Sequence, residues 1–171
     1  MKFEEMQVEI KSVLKQYFEL SDEEAEEMIY DAMSDEMGAF DKKFADKLGL
    51  PMPSVSLDVN GLTLLDKELD VNIQCIFDNT GEYLALLSFG NMCADVDAAN
   101  VAMNAYDKSS YSRLLPIESE VGCEQDFLTL AYTFYAQNVK EFQDGIDKLF
   151  ATLFDDEFQS LLSNVLQYFE N

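Results

Sequence analysis

Carboxylates are almost all the reactive chemistry this chain offers. It carries 34 acidic residues against 11 basic ones, and it has no histidine. Carboxylates alone can hold magnesium or calcium, or form the acid pair that cleaves a glycosidic bond. Their densest cluster is Glu23, Glu24, Glu26 and Glu27. A calcium EF-hand needs glycine at its sixth loop position and a closing glutamate, and no segment supplies both. The cluster therefore reads as a solvated helix face. Without histidine, Ser-His-Asp triads, Cys-His pairs, H-E-x-x-H zinc sites and Glu-x-x-His di-iron sites are excluded. There is no G-x-G-x-x-G and no Walker A loop to cradle phosphate. We expect no catalytic residue, no metal site and no cofactor.

The remaining polar and sulfur groups are read the same way. Cys75, Cys93 and Cys123 are scattered, with no C-x-x-C pair, which fits reduced thiols in a cytoplasmic protein. Arg113, the only arginine, is expected at the start of a strand and in an internal ion pair. Met28, Met33 and Met37 fall along the second helix read below. That spacing serves either ordinary core packing or an adaptable groove for a partner's apolar segment. Tyr83, Leu87 and Phe89 on a central strand, with Phe142 and Ile146 on the closing helical region, are further candidates for partner binding.

The elements that must position these residues follow from periodicity. Phe3, Met6, Ile10, Val13, Leu14, Tyr17 and Phe18 form one helical stripe up to Leu20. Ser21 and Glu24 make a capping box for a second helix, expected to reach about Met37 with Ala25, Met28, Ile29, Ala32 and Met33 on one side. A short helical piece carries Phe40, Phe44 and Leu48. Gly49 is placed to cap it, and Pro51 and Pro53 forbid continuation. The period then changes to two. Val55, Leu57 and Val59 alternate with polar residues up to Asn60-Gly61, a hairpin signal, and Leu62–Leu65 reads as the returning strand. Val71–Phe77, a turn at Asp78-Asn79-Thr80-Gly81, and Tyr83–Phe89, apolar on both faces, follow. Asp95 or Asp97 caps a helix through Tyr106. Ser112–Ile117 and Asp126–Tyr135 read as strands. Asn138 opens a long closing helical region that Asp155-Asp156 divides or kinks.

This order predicts an α+β fold. An antiparallel sheet of about five strands packs with helices, preceded by a helical N-terminal annex (1–50) and ended by a long helical region within 51–171. Hydrophobic residues make up 48% of the chain, with 13 Phe, so a real core forms and the acids lie outside it. The opening stretch holds Glu4, Glu5 and Glu9 and is not a secretory signal. No run of 18 apolar residues exists to span a membrane.

From Asp70 onward the chain resembles the YbjN-like group and the type III secretion chaperone-like fold. The residues that carry the resemblance are VNIQCIFDNTGEYLALLSF (Val71–Phe89) and ANVAMNAYDKSSYSRLLPIE (Ala99–Glu118), followed by the long strand DFLTLAYTFYA and a closing helix. Asn104 matches the group's helix-end asparagine best. The resemblance implies a non-enzymatic, acidic, often dimeric module that holds an extended partner.

A net charge of −23 repels nucleic acid, anionic membrane and acidic substrates, and it draws basic partners. The expected function is a non-enzymatic binding or adaptor module, chaperone-like, for a basic or amphipathic protein. Neither nucleic acid nor membrane is an expected partner. An apolar patch left on the folded protomer would serve a client or a homodimer. Two alternatives are a nucleic-acid mimic that occupies the cleft of a DNA-binding protein, and a carboxylate-only magnesium enzyme.

Overall fold

The computed structural model describes residues 3–33, 55–77, 81–89, 92–119, 121 and 127–170. Helix α1 (Phe3–Phe18) turns Met6, Ile10, Val13 and Leu14 inward, the stripe that its 3.6-residue period requires. Ser21 caps α2 (Asp22–Met28). The Glu24 amide donates to Ser21 Oγ (3.2 Å), and the Ser21 amide donates to Glu24 Oε2 (2.8 Å), so the capping box is complete.

The second helix stops at Met28, nine residues earlier than its apolar spacing suggests. Ile29–Met33 is instead an edge strand, β1, paired antiparallel with β2 (Val55–Leu64) from Ile29↔Val59 to Met33↔Val55. Spacing of three and four along Ala25–Met33 fits a helix, but Ile29 and Tyr30 also suit a strand. Pairing with β2 satisfies the β1 backbone and overrides local propensity. Met37, the helical piece at Phe40, Phe44 and Leu48, Gly49, Pro51, Pro53, the Asp78-Asn79-Thr80 part of the turn, Cys123 and Asp126 lie outside the described residues.

Asn60-Gly61 is not a hairpin turn. Strand β2 runs through it, and the register with β3 (Lys67–Phe77) steps from Val59↔Val71 to Leu62↔Leu69. Two residues therefore oppose one, which is a β-bulge with Gly61 at φ +79°. The bulge explains why the apolar positions shift from Leu57 and Val59 to Leu62 and Leu64 while all four stay buried on one face. The reversal comes at Leu65-Asp66, both at positive φ (53° and 60°), as a two-residue type I′ turn demands.

Strand β4 (Glu82–Phe89) is central, between β3 and β6 (Leu128–Tyr135), in the antiparallel order β1-β2-β3-β4-β6. A two-residue strand β5 (Met92–Cys93) pairs with β7 (Phe169–Glu170), and Lys67 Nζ donates to the Phe169 carbonyl at 2.5 Å. Asp95 caps α3 (Val96–Asp107), accepting from the Ala98 amide. Ser112–Ile117 does not form a strand. Ser110–Arg113 is a 3-10 helix in which Ser112 Oγ donates to the Ser109 and Asp107 carbonyls (2.8 Å each), the kind of local bond that diverts serine from a ladder. Within Ser112–Ile117 only Ile117 forms a β-bridge, opposite Leu130. Asn138 caps α4 (Val139–Leu153), and Asp155 caps α5 (Asp156–Leu166), so the closing region is two helices. Asp155 Oδ1 accepts from the Glu157 and Phe158 amides (3.0 and 3.2 Å) and from the Tyr111 hydroxyl (3.0 Å). These donors, the Phe158 amide foremost, hold its carboxyl below the ordinary aspartate range.

The buried apolar side chains of all five described α-helices join one cluster with Leu57, Ile73, Ala85, Leu87 and Leu130. The described helices therefore lie on one face of the sheet. The other face carries a polar ladder. Asn72 donates to Asp58 and, at 3.4 Å, to Ser56, Gln74 donates to Asn72, and Ser88 bonds Thr129 at 3.2 Å. Leu84, Leu86 and Ala131 on this face are also buried but stand outside the main cluster.

Asp70 belongs to this second face, and burial pushes its carboxyl above the ordinary range. The Gly61 amide (3.4 Å) offsets this only in part, and the Glu68 and Asp58 charges add to it. A carboxyl whose pKa is raised on folding costs stability in its ionised form. That cost is full above the folded pKa, shrinks as pH falls through it, and is gone below the unfolded value. Asp70→Asn is therefore expected to raise the thermal midpoint at pH 7, with the difference from wild type closing on acidification. A gain that persists unchanged at pH 3 would show that ionisation of Asp70 is not its source.

Candidate functional site

Five of the eight expected partner-binding residues are core. Tyr83, Leu87 and Phe89 face the helices from β4, and Phe142 and Ile146 meet them from α4. Tyr83 packs edge-on against Phe142 with ring centroids 5.1 Å apart. Their apolarity is consumed within the protomer, so they present no surface. Met28 is half-buried against the same cluster, and Met33 lies on β1, in register with Val55 rather than on a helix with Met28. Met28 and Met33 therefore do not line one helical groove.

Two members of the acidic cluster have structural tasks. Glu24 closes the capping box, and Glu26 accepts from Lys11 at 2.5 Å. Lys15 meets Asp22 at 2.5 Å. The Glu26 bond raises the Lys11 pKa, and the Lys15 bond, with Lys11 nearby, lowers that of Asp22. Among the described residues, no group of three or more His, Cys, Asp or Glu could hold a metal ion. Arg113 sits exposed on the 3-10 helix and makes no ion pair among the described residues, contrary to the internal pair expected of it. Cys75 and Cys93 carry half-buried thiols. No described helix is long and apolar enough to cross a membrane.

Two surface grooves lie among the described residues. A shallow groove of about 420 Å³ beside β6 and α4 is lined by Leu114, Phe134, Tyr135, Asp144 and Lys148. A groove of about 330 Å³ lies where α1, α2 and β1 converge, lined by Glu4, Gln7, Val8, Lys11, Glu26 and Ile29. Here Val8 is 62% exposed, and the next strand residue, Tyr30, is 53% exposed. Sequence reasoning did not single out this groove. Its one signal was Val8, an apolar residue that falls off the α1 stripe onto the polar side.

The two edges of the sheet differ. Beyond β6 the chain covers itself: the Ala131 amide donates to the Pro116 carbonyl (3.0 Å), the Glu118 amide to the Thr129 carbonyl (2.8 Å), and the Thr129 amide to Ser119 Oγ (2.9 Å). Beyond β1 no described strand continues the sheet. No protein-family model matches this chain, and neither a curated protein nor a solved structure matches it.

Proposed function

We propose that this protein is a non-enzymatic, chaperone-like binding module that holds a basic or amphipathic protein partner. The observation that carries this reading is a carboxylate-rich exterior, net charge −23, over an interior filled by its own apolar side chains. Such a surface steers positively charged segments and rejects anionic ones. From Asp70 onward the paired strands, α3 and the closing helices support the chaperone-like form, while the strand it expects at Ser112–Ile117 is replaced by a 3-10 helix and a single bridge. The half-buried thiols support a reducing, cytoplasmic setting.

Fluorescence anisotropy tests this with a labelled basic amphipathic peptide and an acidic peptide of matched length. The basic probe is expected to bind at low salt and to weaken about tenfold between about 50 and about 300 mM NaCl, while the acidic probe stays free. Equal binding of both probes, or none of either, would sink the reading.

A further inference from the structure

We infer that β1 is a strand-addition site, at which an extended, lysine-bearing segment of a partner pairs with the outer edge of Ile29–Met33. This rests on the binding reading above and names its site and mode. A sheet edge offers a row of backbone donors and acceptors that an incoming strand can complete. The β6 edge is already closed by Pro116–Ser119, whereas among the described residues no strand lies beyond β1. Edges that must not pair are commonly guarded by charged side chains, lysine above all, or by proline. Ile29–Met33 has no lysine or proline, and its one charge, Asp31, disfavours an acidic strand rather than a basic one.

Charge selects the occupant. Residues 3–33 hold ten carboxylates and two lysines, a net of −8. Both lysines are engaged, Lys11 with Glu26 and Lys15 with Asp22. A second copy adding edge to edge would set these acidic surfaces against each other, because like charges across a strand pair repel. A basic segment gains from the same field. The groove beside Ile29 fits a long basic side chain, with Val8 against its stem and, at its head, Glu4 and the Glu26 carboxylate, the latter shared with Lys11. Tyr30, exposed on the following residue, offers a ring to the next side chain of the incoming strand.

The test uses an acetylated, amidated peptide of alternating lysine and valine, about eight residues long. Hydrogen exchange is followed along the whole chain with and without it, and affinity by anisotropy. The expected result is slowed exchange at alternate amides of Ile29–Met33, together with affinity reduced roughly tenfold in the double variant Tyr30→Lys, Glu26→Lys. Asp107→Lys with Asp144→Lys, a larger charge change at two exposed positions outside the groove and β1, is expected to weaken binding less. If the peptide binds but protection falls elsewhere, or the two double variants weaken it equally, the β1 site is overturned and the binding function stands. Protection of β1 that rises with protein concentration before any peptide is added overturns it in favour of self-pairing. If the peptide does not bind wild type at all, the proposed function falls, and the site with it.

Discussion

Phe150→Ala is expected to lower the unfolding free energy by about 3–5 kcal/mol, read from urea denaturation followed by circular dichroism. Phe150 is 1% exposed on α4, in the stripe with Phe142, Ile146, Leu149 and Leu153. Its ring stacks on Tyr17 at 6.0 Å and meets Phe18 edge-on at 5.9 Å, both at the end of α1. Phe154 repeats these contacts one turn on, at 5.4 and 5.2 Å. These four rings bolt α1 to α4. Truncation removes the buried ring and leaves a void that rigid aromatic neighbours cannot close, so the transfer and cavity costs add. Val101→Ala is the control: that side chain is 71% exposed, and its loss should stay within about 0.5 kcal/mol. A Phe150→Ala loss as small as the control's would mean that α1 is not docked through these rings. The variant also bears on binding, because α1 supplies Glu4, Val8 and Lys11 to the groove beside β1.

What could be read from the residues depended on how local the cause was. The Ser21–Glu24 box, the Asn138 cap and the α1 stripe are set within a few residues, and each appears where its spacing places it. Of Asp95 and Asp97, both read as possible caps, the structure uses Asp95. So do β3, β4 and β6, whose alternating or continuous apolar runs match one- or two-sided burial. The α+β class follows from their order. The failures have non-local causes. Ile29–Met33 is a strand because β2 lies beside it, and nothing between Asp22 and Met33 announces β2. Gly61 was recognised as a site of positive φ, but a turn and a bulge use that freedom equally, and only the partner register distinguishes them. Ser110–Arg113 coils because two serines bond nearby carbonyls, Ser109 to Tyr106 at 2.6 Å and Ser112 to Asp107 and Ser109.

The site was harder to read than the fold, for a related reason. Tyr83, Leu87, Phe89, Phe142 and Ile146 are conspicuous because they are apolar, and apolar residues are conspicuous whether they face a partner or each other. Their periodic spacing is what lets the chain's own helices cover them. An interaction surface on this molecule has to come from what folding leaves over. For the proposed strand-addition site that is the β1 edge and an off-stripe valine among carboxylates, features with almost no compositional signature.

Gly81→Ala is expected to cost about 3 kcal/mol, the sum of two separable terms. Gly81 sits at φ +74°, where an L side chain costs roughly 1–2 kcal/mol. An added Cβ would also lie 2.4 Å from the Ala136 carbonyl oxygen and 2.6 Å from Gln137 Nε2. The first contact is with backbone, which cannot swing aside, so relief requires the start of β4 and the end of β6 to part. That motion pulls on the Ala136 amide, which donates to the Gly81 carbonyl at 2.8 Å. Gly61 isolates the torsional term: its φ is +79°, but a Cβ there meets nothing within 4 Å. Gly61→Ala should therefore cost only about 1 kcal/mol, and the gap between the two variants measures the clash. Equal losses would show that β4 and β6 separate freely at this end and that the close approach of Ala136 does not constrain the sheet. The strain should also be local. Hydrogen exchange in Gly81→Ala should quicken at Ala136 and Glu82 before it quickens in β1, because β2 and β3 stand between that edge and the disturbed strand pair.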